Sequence, residues 1–222
     1  MSAPTGTHAA TPTPTGFQLR TPEAWVDFSV ADEASENRLG EEARGHALTG
    51  GFTADQAGRF AEQVRRSIRQ ARRGGAVHAA GVFEMYEDGP LTATVVVAVV
   101  TPPANGDILG ALTAVAQPNR ADGTWRRVTT AAIPGIGTVG RVYGIQNVVQ
   151  DGVTIRCAVM HTVVPMPGSA DVVVVTGSSP NLAEAEEIFE LFGAVTETLT
   201  FTWDDDQPEL TARPASTGTT DA

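Results

Sequence analysis

The sequence predicts an α+β domain in which antiparallel strands form a sheet and helices pack against it. Two observations support this class: β-branched segments occur in pairs joined by short turn sequences, and other segments repeat apolar residues every three or four positions. With 222 residues, 41% of them hydrophobic, the chain can bury one core without metals or disulfides. We expect one domain over residues 17–203, between a disordered Thr/Pro-rich tail at 1–16 and a disordered acidic tail at 204–222.

The first half of this domain is predicted to contain a short strand, a long helix and a hairpin. Residues 24–30 alternate as a strand does, and a polar stretch follows, up to Gly51. Thr53-Ala54-Asp55-Gln56 matches a capping box, so a helix is predicted to start there and to stop at Gly74-Gly75. Its apolar stripe consists of Phe60, Val64, Ile68 and Ala71. Two β-rich runs at 76–86 and 91–100, joined by Glu-Asp-Gly-Pro, predict a hairpin.

The second half is dominated by a longer hairpin. Residues 138–150 and 153–164 are separated only by Asp151-Gly152, the pair that a type I′ turn prefers. The other predicted elements are a helix at 107–116, a strand at 125–130, a strand at 171–176, a helix N-capped by Ser179 with Pro180 in its first turn, and a closing strand at 197–203.

Two short segments near the ends of this domain carry a family resemblance. They are Phe17-Gln18-Leu19-Arg20-Thr21-Pro22-Glu23-Ala24-Trp25 and, after a late helix, Glu197-Thr198-Leu199-Thr200-Phe201. Together with the order of elements over residues 17–203, they resemble the Mog1/PsbP-like fold and, within it, the LpqN-like proteins of actinobacteria. The resemblance implies a curved antiparallel β-sheet with helices packed on its faces. Members serve in nuclear transport, in photosystem assembly and as cell-envelope lipoproteins, so the resemblance implies no single activity.

Charge and composition limit the partners that we expect. The net charge of −11 repels the phosphates of nucleic acids and of anionic membranes, so neither is predicted as a partner. Residues 1–16 lack the basic start and the apolar stretch of a secretory signal. The longest apolar run, residues 94–100, is far below the roughly 20 residues that cross a bilayer. A single cysteine, Cys157, fits a reducing compartment, and a cytoplasmic location is predicted.

The first long helix is strongly basic within this acidic chain. Glu62 is the one acidic residue among its arginines, and a protein partner with an acidic surface would complement it. The alternative is a solvated helix face that contacts the acidic C-terminal tail. The candidate partner-binding residues are Arg65, Arg66, Arg69, Arg72 and Arg73. Arg59, six residues before Arg65, adds to the basic character of the helix.

Two glycine-containing motifs resemble phosphate-binding loops. Gly177-Ser178-Ser179 follows a Val-rich strand and precedes a predicted helix, so its backbone N–H groups are candidates for anion binding at a helix N-terminus. The alternative is a purely structural role, in which these residues separate the strand from the helix and Ser179 caps the helix. The segment 135–140 spells G-x-G-x-x-G, but β-like sequence follows it, so we interpret it as a loop leading into a strand.

Three residues could serve catalysis. Cys157 and His161 share one face of a predicted strand, but four residues at about 3.3 Å each separate them by roughly 13 Å, too far for proton transfer. His78 lies in another strand. The leading hypothesis is therefore a non-catalytic protein-binding or accessory domain, with no predicted catalytic, cofactor-binding or metal-binding residue. The alternative is a small hydrolase or nucleotide-binding enzyme that uses these residues beside Gly177-Ser178-Ser179.

Overall fold

The paired β-branched segments form an antiparallel sheet, and the α+β class is confirmed. The computed structural model describes residues 12–28, 33–86, 89–102, 108, 110, 122–150 and 152–203. Within this part of the chain the helices are α1 (Glu33–Thr49), α2 (Ala54–Arg73) and α3 (Ala185–Glu197). The strands are β1 (Gly16–Gln18), β2 (Val26–Phe28), β3 (Ala76–Tyr86), β4 (Gly89–Val100), β5 (Trp125–Ile133), β6 (Gly137–Gln150), β7 (Val153–Pro165), β8 (Val172–Ser179) and β9 (Thr200–Thr202).

Seven of these strands make one sheet in the order β2-β3-β4-β8-β7-β6-β5, and β1 pairs with β9 in a small separate sheet. Both predicted hairpins are confirmed, with Tyr86 opposite Gly89 and Gln150 opposite Val153. Gly152 has a φ of 79°, the left-handed value that the tight β6–β7 turn requires. Asp151 and residues 87–88, which complete the two predicted turns, lie outside the described residues.

Each face of the large sheet carries its own apolar cluster, because side chains alternate along every strand. On the α3 face, Phe192 and Val195 of α3 pack against strand residues that include Val97 and Val175. On the α1–α2 face, Leu39 of α1 and Ile68 of α2 pack with Ala76, and with partly buried residues that include Ala79 and Val96. Ile108 packs with Val163, Val172 and Val174 in a third cluster.

Helix α2 agrees with the sequence prediction at both ends. The Thr53 hydroxyl accepts from the Gln56 backbone N–H, and the Gln56 side chain accepts from the Thr53 backbone N–H, so the capping box is present. Phe52, just before the cap, makes an edge contact with Phe60 at a centroid distance of 6.3 Å. The helix ends at Arg73, and Gly74 donates to the carbonyls of Gln70 and Ala71.

One helix was not predicted, and one predicted helix cap is wrong. The polar stretch before Gly51 forms helix α1, which pairs with α2 through ionic contacts instead of a broad apolar stripe. Ser179 is not a helix cap: it is the last residue of β8, and its hydroxyl donates to the Thr92 carbonyl at 2.6 Å. Helix α3 starts only at Ala185, and its N-cap residue, Glu184, makes no side-chain capping bond.

Most predicted strands differ from the observed ones by one to three residues at an end. The first begins later than predicted, at Val26, and the closing strand is limited to Thr200–Thr202 because Glu197 still belongs to α3. Strand β8 covers Val172–Ser179 instead of 171–176, and β4 already begins at Gly89. Strand β5 runs on to Ile133, where it pairs with Gly137. Of the helix predicted at 107–116, only residues 108 and 110 are described, so the rest of that prediction lies outside the described residues.

Residues 12–16, placed in the N-terminal tail by composition, contact the folded chain. The Thr13 hydroxyl donates to the Gly168 carbonyl at 3.0 Å, Pro14 is buried, and the Thr15 N–H donates to the Thr202 carbonyl at 2.9 Å. These contacts lengthen the β1–β9 pairing beyond Gly16. Among the described helices, none combines the length and the apolar character that crossing a membrane requires.

Close packing between β8 and α3 gives a test of this fold. A Cβ added to Gly177 would lie 2.4 Å from the Phe192 ring, so Gly177→Ala is expected to lower the free energy of unfolding by roughly 1–3 kcal/mol. In Gly58→Ala, inside α2, the added Cβ meets nothing within 4 Å, and a gain of about 0.5–1 kcal/mol is expected. Urea denaturation measures both. Wild-type stability in Gly177→Ala would contradict the packing of Phe192 on β8.

Candidate functional site

The arginines of α2 divide into two stripes. Arg65, Arg69 and Arg72 are spaced by four and three residues, and all three form ion pairs with carboxylates of α1. Arg59, Arg66 and Arg73 are spaced by seven residues, and all three are exposed. We call the first set the inner arginines and the second set the outer arginines.

The inner arginines meet a carboxylate that is almost completely buried. The side chain of Glu36 in α1 is only 5% exposed. Arg69 donates from Nη1 to its Oε1, and Arg72 donates from Nη2 to its Oε2 at 3.4 Å. Because an unpaired carboxylate is costly to bury, these two contacts are what allow α1 to cover α2 at this position.

Arg65 and Glu62 extend this network toward solvent. Arg65 Nη2 donates to Glu41 Oε1 at 2.7 Å, and Arg69 Nη2 donates to Glu62 Oε1 at 2.9 Å. The hydrogen bond from Arg69 lowers the pKa of Glu62, and the bonds to Glu62 and then to Glu36 raise the pKa of Arg69. A Cβ at Gly40 would lie 2.4 Å from Arg65 Nε, so glycine allows the arginine to lie against α1.

The outer face of α2 is basic and polar. Between the outer arginines lie Gln63 and Gln70, which are also exposed. These five positions share one side of the helix and contain no carboxylate. Glu62, beside them on the helix, is attracted to Arg66 as well as to the inner arginines, and this attraction helps to lower the Glu62 pKa. We call this surface the outer stripe. It consists of Arg59, Gln63, Arg66, Gln70 and Arg73.

The predicted partner-binding residues therefore fall into different surroundings. Arg65, Arg69 and Arg72 bind α1, which corrects the expectation that Glu62 is the one acid near them. Arg66 and Arg73 are exposed on the outer stripe, to which Arg59 also belongs. The seven-residue spacing of the outer arginines is the sequence signal that separates the two sets.

The candidate catalytic residues lie on opposite faces of the sheet. Register places His161 opposite Thr176, and Thr176 opposite Val96, which packs on the α1–α2 face. His78 is opposite Val97, whose side chain belongs to the α3 face. The sheet thus separates His78 from His161, while Cys157 shares the face of His161 four residues away.

Burial leaves His161 and Cys157 uncharged near neutral pH. Burial, with a smaller repulsion from Arg126, lowers the pKa of His161 to about 4. Its Nδ1 lies 3.0 Å from Thr176 Oγ1. Burial also raises the pKa of the Cys157 thiol, which disfavours the reactive thiolate. The His78 Nε2 atom is 3.7 Å from Asp27 Oδ1, on the far side of the sheet from Cys157.

The two glycine-containing motifs are part of the sheet. Gly177, Ser178 and Ser179 all belong to β8, where Ser178 Oγ lies 2.9 Å from Thr94 Oγ1. The anion-binding hypothesis required a helix N-terminus next to Ser179. Helix α3 begins six residues after Ser179, so this requirement is not met. The G-x-G-x-x-G segment forms the β5–β6 turn and the start of β6, as predicted, with the Ile136 N–H donating to Ile133.

Comparisons with known proteins give little information about this site. No protein family model and no curated protein matches the chain. One solved structure that it resembles is LpqN of Mycobacterium tuberculosis, described as involved in cell envelope biogenesis. The two chains are 11% identical over 85% of this chain and 86% of LpqN, with a TM-score of 0.41. A likeness at this level supports no argument about fold or activity. Across the described residues, no three His, Cys, Asp or Glu side chains are grouped to hold a metal ion.

The low pKa of His161 predicts a pH dependence of stability. Its folded pKa of about 4 lies below the ordinary 6.5, so the unfolded chain binds the proton more readily between these pH values. The free energy of unfolding is expected to fall as the pH drops below 6.5, by at most about 1.4 kcal/mol per pH unit from this residue. His161→Gln should flatten this decline in urea denaturation at pH 7, 6 and 5. Parallel profiles for both proteins would contradict the assignment.

Proposed function

We propose that the chain is a non-catalytic binding domain whose outer stripe contacts the acidic surface of a partner protein. The observation that carries this proposal is the division of the α2 arginines. Three of them form ion pairs with carboxylates of α1, while Arg59, Arg66 and Arg73 are exposed along one side of the same helix.

Rigidity supports the proposal. On its side facing α1, helix α2 is held in place by the inner arginines and by Ile68, which is buried against Leu39. The outer arginines therefore project from an ordered scaffold, which reduces the entropy lost on binding. At 1.5 Å per residue they span about 21 Å of helix, a length that suits a protein surface.

The charge of the whole chain favours an acidic protein over other anions. Nucleic acids and anionic membranes present dense, extended negative charge, which the net charge of −11 repels over a wide area. A partner protein can place a few carboxylates against the outer stripe and uncharged groups elsewhere. Guanidinium groups form paired hydrogen bonds with carboxylates. Such a contact is specific in its geometry as well as attractive.

The proposal is tested by removing the outer charges. Arg59→Gln, Arg66→Gln and Arg73→Gln are combined, and binding of a fluorescent peptide of ten glutamates is followed by anisotropy at low and physiological salt. Glutamine keeps the helix propensity, so the melting temperature should stay close to that of the wild type. The affinity should fall at least about fivefold, since three charge-assisted contacts are lost.

Two further variants serve as controls. Arg20→Gln, Arg44→Gln and Arg127→Gln change the net charge equally at exposed positions off the outer stripe and should leave the affinity within about twofold. Replacing the inner Arg65, Arg69 and Arg72 by Gln should instead lower the melting temperature, because Glu36 loses both partners. Equal peptide binding by the outer variant and the wild type, or tighter binding of a DNA duplex than of the peptide, would contradict the proposal.

A further inference from the structure

A cleft lies at one end of the large sheet, far along the chain from α2. Its walls are the β5–β6 turn at 134–136, the β7–β8 connection at 165–167, and Phe201 and Trp203 in and after β9. Its volume is about 450 Å³, within the range of about 300–1,000 Å³ that is usual for ligand sites. This is a concave site separate from the outer stripe.

The side chains that line the cleft are uncharged and mostly apolar. Pro134, Pro165 and Pro167 alternate with Ile136 and Met166 around the two turns. Thr138 and Thr200 contribute hydroxyl groups, and among the described residues that line the cleft none is charged. A charged ligand would lose its hydration here without gaining a partner, so the chemistry favours an uncharged occupant with apolar side groups.

The chain's own N-terminal segment lies beside this end of the sheet. Its sequence at 11–15 is Thr-Pro-Thr-Pro-Thr. The Thr13 hydroxyl donates to Gly168, next to the 165–167 wall, and the Thr15 N–H donates to Thr202, between the wall residues Phe201 and Trp203. Pro14, between them, is buried. The backbone carbonyls next to two walls of the cleft, at Gly168 and Thr202, therefore already accept hydrogen bonds from a Thr-Pro segment.

We propose that the cleft binds an extended, uncharged segment of a partner protein in which proline alternates with threonine or another small residue. Prolines keep such a segment extended before binding, which lowers its entropic cost, and aromatic rings such as those of Phe201 and Trp203 pack well on proline rings. The residues between the prolines supply N–H and hydroxyl donors for backbone carbonyls, as Thr13 and Thr15 do. This inference does not depend on the outer stripe.

The test is a titration of the full-length, ¹⁵N-labelled chain with the peptide acetyl-(Thr-Pro)₄-Thr-amide. Shift changes are expected at the backbone amides of Ile136, Met166 and Phe201 and at the Trp203 indole, with a dissociation constant below about 1 mM. Trp203→Ala should weaken binding at least about fivefold, as expected for loss of an aromatic anchor. Thr138→Lys, a change at an exposed wall position, should do the same by placing a charge in the cleft.

Phe52→Ala is the matched control, because Phe52 is an exposed aromatic residue at the start of α2. It should leave the peptide affinity within about twofold of the wild type. Shifts confined to other parts of the chain, or undiminished binding by Trp203→Ala and Thr138→Lys, would overturn the proposal. Equal affinity for acetyl-(Glu-Pro)₄-Glu-amide would also overturn it, as would cleft shifts with octyl glucoside and none with the Thr-Pro peptide.

Discussion

The buried carboxylate of Glu36 determines how helices α1 and α2 lie together. With 5% of its side chain exposed, Glu36 needs charged partners, and Arg69 and Arg72 supply them. Any rotation of α1 that removed these contacts would leave a buried charge unpaired. The same contacts fix which side of α2 faces α1. The direction of the outer stripe is therefore a consequence of one buried ion-pair cluster.

The sheet imposes a second constraint, because it isolates groups that resemble a catalytic set in the sequence. His78 and His161 are on opposite faces of the sheet, and the Ser179 hydroxyl donates a hydrogen bond to the Thr92 carbonyl. His161 is held neutral by burial, close to Thr176. His161 and Ser179 therefore take part in the hydrogen bonding between strands. The two surfaces that we propose for recognition, the outer side of α2 and the end of the sheet where the turns meet β9, lie elsewhere on the described part of the chain.

Much of the fold could be predicted from local patterns. The hairpins β3–β4 and β6–β7 and the capping box of α2 follow from alternation, turn residues and capping chemistry, which act over a few residues. Helix α1 could not be predicted in this way, because it buries only four residues, among them Glu36 and Gly40. The arginines that bind it are at least 24 positions away in the sequence. Ser179 misled the prediction because a serine before proline has the same local sequence whether it caps a helix or ends a strand.

The candidate site was predicted only in part. The basic character of α2 is evident from composition, but its division into inner and outer arginines depends on where α1 lies, which no local pattern records. Helical spacing alone separates Arg59, Arg66 and Arg73 from the other arginines, although it does not indicate which set is exposed. The cleft has no sequence signal of its own, because its walls come from three parts of the chain that only the topology brings together.

A double-mutant cycle on the free energy of unfolding tests the Glu36 cluster most directly. Glu36→Gln and Arg69→Gln are made singly and together, and a second cycle pairs Glu36→Gln with Arg66→Gln. We expect a coupling of at least about 1 kcal/mol between Glu36 and Arg69, and below about 0.3 kcal/mol between Glu36 and Arg66. Additive effects in the first cycle, or equal coupling in both, would contradict the division of the arginines into inner and outer sets.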